Sequence, residues 1–477
     1  MVIIGLQVPD MIELRLKKGL LATPVYAQIA EQILWHITNG RLKNGEMLPP
    51  SRDLARQLGV SRGSVVRAYE QLCASGACRS QVGRGTEVIS ADKSGEQSRF
   101  VPGNKPKDDS ELMSDFPPGS LSLLPSHAST EHLPVSAFRS AFNRVIRYPE
   151  KLNRFGESRG DAGLRRLICD RILPARGITA SPSEVLIVPG TQYGSVLLAM
   201  TLMNSRSVFH FGHPGYMDFA HNFSRFGYRL QPHTLDNEGM SLTELPGTDQ
   251  DIVYLMPEHH FPQCVTMSEL RRGAFIRLAL QKNILILEDD YDSEFYFDRA
   301  PLPALRASEA ASQVVYMGTF SKVLFNSIRL GYLVADQDLI GQMASLHWGL
   351  SRGTNGLMQQ WVAELINSGA YEKHARRMRT VYLHKRDNVA RLIRAFLPDA
   401  QLTIPDGGLQ MYLSFADALI TEKVFQWLQQ NDVQIASFDS YTCNKNTEFN
   451  LLIVGFASVD LKELAAVLRR LGHYLYH

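Results

Sequence analysis

Lys322 closes a turn of small residues, GTFSK, that follows the apolar stretch VVYMG, and Arg329 stands seven residues further on. An amine can form an imine with an aldehyde. Hydroxyls and an arginine, here Thr319, Ser321 and Arg329, can hold a phosphate. Three more stretches carry groups that fit the same kind of ligand. LILEDDYDSEF sets Asp289 and Tyr291 two apart at the end of an apolar run. In a strand that spacing puts a carboxylate and a phenol on one face. VPGTQYGS follows another apolar run and opens a helix, so the backbone N–H groups of Thr191 and Gln192 form an anion site. HPGYMDF sets Tyr216 in a strand-end loop, where its ring can stack on a flat ligand. A carboxylate that keeps a pyridine nitrogen protonated, a phenol for a ring hydroxyl, a stacking face, a phosphate site and an imine-forming amine together describe a site for pyridoxal 5′-phosphate (PLP). The pair His259-His260 in MPEHHFPQ has no carboxylate or cysteine at ligand spacing, so no metal is expected there.

These residues need a scaffold that brings strand ends together. Over residues 116–477, strand-like runs (EVLIVPG, SVFHFG, DIVYLMP, NILILEDD, VVYMG) alternate with segments long enough for helices. That alternation predicts an α/β domain with a mostly parallel central sheet and helices on both faces. Ligands of such sheets bind beyond the carboxyl ends of the strands, where the candidate residues fall.

The first part of the chain reads differently. In TPVYAQIAEQILWHITNG, Thr23 is the expected N-cap, and Val25, Ile29, Ile33 and Ile37 make one apolar stripe closed by Gly40. In LPPSRDLARQLGVSRGSVVRAYEQL, Ser51 and Ser61 are expected to cap two short helices joined at Gly59. Leu54, Leu58, Val65, Tyr69 and Leu72 are their buried positions. This is a helix-turn-helix whose second helix enters the major groove, with Arg62, Gly63 and Ser64 at its leading end. Arg52 starts the preceding helix, where a cation opposes the helix dipole and a phosphate contact would compensate. CRSQ and TEVI around VGRG read as a hairpin wing with Gly83 at its tip. This segment, roughly residues 23–89, resembles the GntR-type winged helix through P-x-S-R-x-L-A, L-G-V-S-R, A-Y-x-x-L and G-x-G-T. The resemblance implies DNA contacts from Arg52, Arg62, Ser64, Arg67 and Gly83.

Composition agrees with a cytoplasmic protein of two or three domains. The chain has 477 residues, 44% of them hydrophobic and 21% charged, and no apolar run reaches the ~18 residues of a membrane span. Its five scattered cysteines form neither a disulfide framework nor a zinc pattern, and the N-terminus lacks signal-peptide features. Residues 1–90 hold 11 Lys+Arg against 7 Asp+Glu, so this basic segment carries +4 of a total of +2 and the remainder carries −2. Residues 91–115 are polar and read as a linker, which gives domains at 1–90 and 116–477.

The long second part resembles the fold type I aminotransferases, and the chain as a whole looks like a MocR-type regulator of the GntR superfamily. The motifs are LSLLP, FGESRGDAGLR, HPGY, VTMS, EDDYDSEF, PLPAL, GTFSK, RLGYLVA and GGLQMYL. The resemblance implies that Lys322 is the Schiff-base lysine and that Asp289, or else Asp290, meets the pyridine nitrogen. It gives Tyr291 the ring hydroxyl, Tyr216 the stacking face, and Thr191, Gln192, Ser321 and Arg329 the phosphate. It also implies a head-to-tail homodimer, a double-stranded DNA operator, and an effector that is PLP or an amine reacting with it. Two departures stand out. Phe155 replaces the family's tyrosine, and FNLLIVGFAS lacks the arginine that clamps a substrate carboxylate in aminotransferases. The missing clamp and the complete winged helix favour a regulator; a working aminotransferase with an accessory DNA-binding head is the alternative.

Overall fold

The structure is a computed structural model that describes Leu14, Leu16 and residues 23–81, 85–89, 120–148, 150, 153, 156–203, 206–241, 251–436, 441–442 and 451–477. The chain divides into two compact units, Met1–Leu121 with Leu428–Gln434, and Ser122–Trp427 with Ile435–His477. The expected linker, the wing tip Gly83 and Phe155 lie outside the described residues.

In the smaller unit, three helices, α1 (Val25–Thr38), α2 (Ser51–Leu58) and α3 (Arg62–Ala74), stand with strands β1 (Met47–Leu48), β2 (Cys78–Gln81) and β3 (Gly85–Val88). The strands form an antiparallel sheet in the order β1-β3-β2. Ile29, Ile33, Leu54, Leu58, Val65 and Leu72 are buried together, and the Tyr69 hydroxyl donates to the Pro49 carbonyl at 2.7 Å. Gly59 turns the chain between α2 and α3 at φ 60°, a conformation that suits glycine. Ser61 caps α3 by accepting from the Ser64 N–H. Two expected caps are corrected. Pro24 and Pro50, not Thr23 and Ser51, hold the N-cap positions of α1 and α2, and neither helix has a side-chain cap bond. Each proline ends the extended backbone before its helix, which displaces the boundary by one residue. Strand β1 escaped the sequence reading because two residues carry no period.

The larger unit is built on an eight-stranded sheet. Its strands are β4 (Val185–Val188), β5 (Val208–His213), β6 (Arg229–Asp236), β7 (Gly239–Met240), β8 (Asp251–Leu255), β9 (Leu285–Asp290), β10 (Val314–Thr319) and β11 (Gly331–Val334). Their order is β4-β11-β10-β9-β8-β5-β6-β7, and only β11 and β7 run against the rest. Strands β4, β8, β9 and β10 are buried along their whole length, as a sheet covered on both faces requires. On one face α4 (Thr191–Leu202), α5 (Met217–Arg225) and the helix Gln337–Ser351 pack on Phe209, Phe211, Tyr254, Leu285 and Leu287. On the other face the helix Glu269–Lys282 packs on Val253, Leu255 and Ile286. A 27-residue helix, α6 (Ala370–Phe396), leads to a small antiparallel sheet of β12 (Gln401–Thr403), β13 (Gln410–Ser414) and β14 (Leu452–Gly455).

Candidate functional site

The parallel strands deliver their carboxyl ends to one edge. Strand β9 ends at Asp290, with Tyr291 next in the chain, and β10 ends at Thr319, three residues before Lys322. Alternation along β9 sends Leu285, Leu287 and Asp289 toward the face of α4 and α5, and Ile286, Glu288 and Asp290 toward the other. The two neighbouring acids therefore have different fates. Asp290 accepts from Arg176 Nε at 2.6 Å and from the Tyr316 hydroxyl at 2.7 Å. Burial would raise it, but the Arg176 guanidinium and the bonds from Tyr316 and Ser293 together hold it below the usual carboxylate range. Asp289 has no cation bonded to it among the described residues. It accepts from the Tyr254 hydroxyl at 2.7 Å through Oδ2, and its buried Oδ1 has no hydrogen-bond partner among the described residues. Burial pushes Asp289 up to about 7 against the pull of the Tyr254 bond, and Asp290 and Asp292 add to the rise.

Lys322 Nζ donates to the Ser126 carbonyl at 2.7 Å. Burial pushes this amine down to about 8; Asp292 and Asp289 pull the other way and Arg329 lowers it further. Tyr291 donates to the His259 carbonyl at 3.1 Å and accepts from Gln410 Nε2 at 3.3 Å. Gln410 Oε1 in turn accepts from the Ser126 hydroxyl at 3.2 Å. Residues 126, 291, 322 and 410 thus meet in one site. Tyr216 precedes α5 and accepts from Gln192 Nε2 at 2.7 Å, with Phe261 edge-on at 5.9 Å between ring centroids. The same Gln192 amide reaches Asp218 at 2.8 Å, so its side chain is committed there and its backbone N–H is what it can offer an anion.

The residues expected to hold an anion meet where α4 begins. Gly190 precedes Thr191 at φ 85°, and a Cβ built on it would stand 2.9 Å from Arg329 Nη2. Only a glycine there lets the guanidinium lie against the helix N-terminus. Gly331 of β11 runs beneath: a Cβ on it would be 3.4 Å from the Thr191 nitrogen and 3.0 Å from the Gly318 carbonyl. Ser321 is buried, and its N–H donates to Thr319 Oγ1 at 3.2 Å.

Sequence reasoning passed over Tyr254, Ser126, Gln410 and Arg176. A polar tip inside the apolar run DIVYL was the available signal for Tyr254; the other three act across 114 to 284 residues and leave no local pattern. His259 Nδ1 lies 2.7 Å from Asp292 Oδ1; burial would lower His259, but Asp292 together with Glu258 and Asp290 holds it above the ordinary imidazole value. His260 Nε2 lies 3.1 Å from the Pro214 carbonyl, and burial pushes it down to about 4. Among the described residues no group of three or more His, Cys, Asp or Glu could hold a metal ion, and no helix is long and apolar enough to cross a membrane.

In the smaller unit, Arg52 and Arg62 are exposed at the starts of α2 and α3, and neither makes an ion pair among the described residues. Ser64 Oγ lies 2.9 Å from Ser61 Oγ, inside the cap. The Arg67 guanidinium stacks over the Tyr26 ring at 4.1 Å, which ties α3 to α1.

Residues 25–88 match the gntR family of bacterial regulatory proteins, and residues 125–471 match aminotransferase class I and II. The chain is 28% identical over 453 residues to the probable rhizopine catabolism regulatory protein MocR of Rhizobium meliloti, covering 92% of each chain. It is 29% identical over 462 residues to the pyridoxine biosynthesis transcriptional regulator PdxR of Corynebacterium glutamicum, covering 94% of this chain and 96% of that one. Among solved structures, it resembles the α-aminoadipate aminotransferase LysN of Thermus thermophilus, complexed with N-(5′-phosphopyridoxyl)-L-leucine. The TM-score is 0.68 at 25% identity, over 77% of this chain and 94% of that one.

Proposed function

Because the chain belongs to the aminotransferase class I and II family, with the gntR-type head of the MocR-type regulators, we propose that it is a transcription regulator that senses PLP, or an amine reacting with it, through its larger unit. The observation that carries the ligand is Asp289: its buried Oδ1 has no partner among the described residues, and, unlike Asp290 with Arg176 and Asp292 with His259, it has no basic side chain bonded to it there. Such an atom is costly unless a ligand donor meets it, and a pyridinium N–H is that donor. Lys322 Nζ would hold the cofactor covalently, Tyr291 would take its ring hydroxyl, Tyr216 would cover one ring face, and Thr191, Gln192, Ser321 and Arg329 would take its phosphate. When bound, PLP supplies an aldehyde carbon that amines attack and a ring that withdraws electrons. Ionised Asp289 keeps the ring nitrogen protonated, and neutral Lys322 is the group able to bond or to accept a proton.

The reading as a regulator rather than an enzyme rests on the region of β14. Transamination holds a substrate carboxylate in one pose, usually with a bidentate arginine, and FNLLIVGFAS contains none. A regulator needs only unequal binding to two conformations. Arg52, Arg62, Ser64 and Arg67 are the proposed DNA contacts, and a homodimer reading two half-sites is the proposed assembly. The second reading, a working aminotransferase with an accessory DNA-binding head, would use the same Lys322 and Asp289.

One batch of protein tests both. Visible absorbance should show PLP bound and shifted by simple amines, with α-amino acids turned over slowly or not at all. Gel shifts with the DNA flanking its own gene should change with ligand state. Rapid transamination, with DNA affinity indifferent to PLP and amines, would make it an enzyme.

A further inference from the structure

Helix α6 carries a charge pattern that the cofactor site does not use. It holds eight lysines and arginines against two acids, although the chain beyond residue 90 is net negative. Glu372 meets Arg171 at 2.7 Å, and Asp387 meets Arg386 at 3.0 Å, a cation that it shares with Asp298. Three of the cations are spent on structure. Lys385 donates to the Ala457 and Val459 carbonyls, Arg386 pairs with Asp298, and Arg379 stacks over Tyr296 at 3.6 Å.

The remaining five, Lys373, Arg376, Arg377, Arg391 and Arg394, are exposed and make no ion pair among the described residues. At about 100° per residue they fall within roughly 100° of arc, opposite the buried face of Tyr371, Met378, Tyr382, Val389 and Ile393. From Lys373 to Arg394 the stripe is about 32 Å long. A solvated helix face normally mixes signs, whereas on this one five cations flank a single exposed carboxylate, Asp387.

We propose that this face of α6 is a second DNA-contacting surface, one that grips phosphates without reading sequence. The proposal rests on the reading of the chain as a DNA-binding protein. Duplex DNA presents one negative charge per ~1.7 Å of axis, and one turn rises ~34 Å, close to the length of the stripe. Arginine and lysine on such a surface release counterions, and their signature is the salt dependence of affinity.

The test substitutes all five by glutamine (K373Q, R376Q, R377Q, R391Q, R394Q) in the full chain and measures affinity for a duplex across salt concentrations. Each lost phosphate contact removes about 0.9 from the slope of log K against log salt. The slope should become shallower by about two units or more, while the order of preference among operator variants stays the same. Circular dichroism and the absorbance of bound PLP should match the parent, which separates lost contact from lost fold. A parental slope in a folded variant overturns the proposal. So does an unchanged slope with lost binding to anionic phospholipid vesicles, which would assign the stripe to a membrane surface. If the parent protein binds no duplex at all, the DNA-binding reading itself fails; a parent that binds with an unaffected slope in the variant leaves that reading standing and removes only the stripe.

Discussion

Asp289 sits in a site that is expensive for a carboxylate, and Tyr254 eases that expense by one hydrogen bond at 2.7 Å. A bond to an ionised group is worth about 1.5–3 kcal/mol. Tyr254→Phe should therefore weaken PLP affinity by roughly 10- to 100-fold, read by absorbance titration of the apoprotein. Unchanged affinity would remove Tyr254 from the site. Lys322 makes a second prediction. Only its neutral form can bond to the aldehyde, and burial has lowered the amine from 10.5 to about 8. The rate of PLP attachment should climb between about pH 7 and 9 and level off above that, about two to three pH units below where an ordinary lysine would level off. A profile that keeps rising toward pH 11 would mean that the amine is not depressed. At this scale the sequence was legible wherever a residue announced itself locally. Lys322, Tyr216 and the acids 289–290 lie in short motifs. The choice between the two acids was not legible, because it depends on Arg176, 114 residues before Asp290.

At the scale of elements, the strand ends and the charges beneath them form one piece. Arg176 bridges Asp290 at 2.6 Å and Glu258 at 3.4 Å, and Arg272 meets Glu258 at 2.6 Å. These groups are buried, so removing one partner leaves a charge without compensation. Arg176→Met should cost about 3–5 kcal/mol in urea unfolding, with Asp290 as the main loser because Glu258 keeps Arg272. A loss under about 1 kcal/mol would show that Asp290 takes up a proton and tolerates the change. Helices α1–α3 were readable from apolar period and strands β4, β5, β8, β9 and β10 from apolar run length, but the longest strand, β6, was not, because RLQPHTLD is mostly polar. Where reading failed, the cause was physical. Prolines 24 and 50 moved two caps by one residue, and β1 is defined wholly by its pairing with β3.

At the scale of the whole molecule, a sensor must make ligand and DNA binding depend on each other. Linkage makes that dependence symmetrical: if an amine changes DNA affinity by some factor, DNA must change amine affinity by the same factor. Spectral titration of the PLP-loaded protein with an amine, with and without operator duplex, should shift its midpoint by the factor seen in gel shifts. A midpoint indifferent to DNA, where gel shifts respond to the amine, would place the amine's effect outside this protein. The bond from Ser126 to Gln410 spans 284 residues and has a further consequence, in time. The helices and wing strands of residues 25–88 contain their own core and can form while the ribosome is still early in the message. The pocket around Lys322 cannot close until residue 410 has emerged. At translation rates of about 5–20 residues per second, every new copy passes on the order of half a minute with a folded gntR-type core and an unfinished aminotransferase-type pocket.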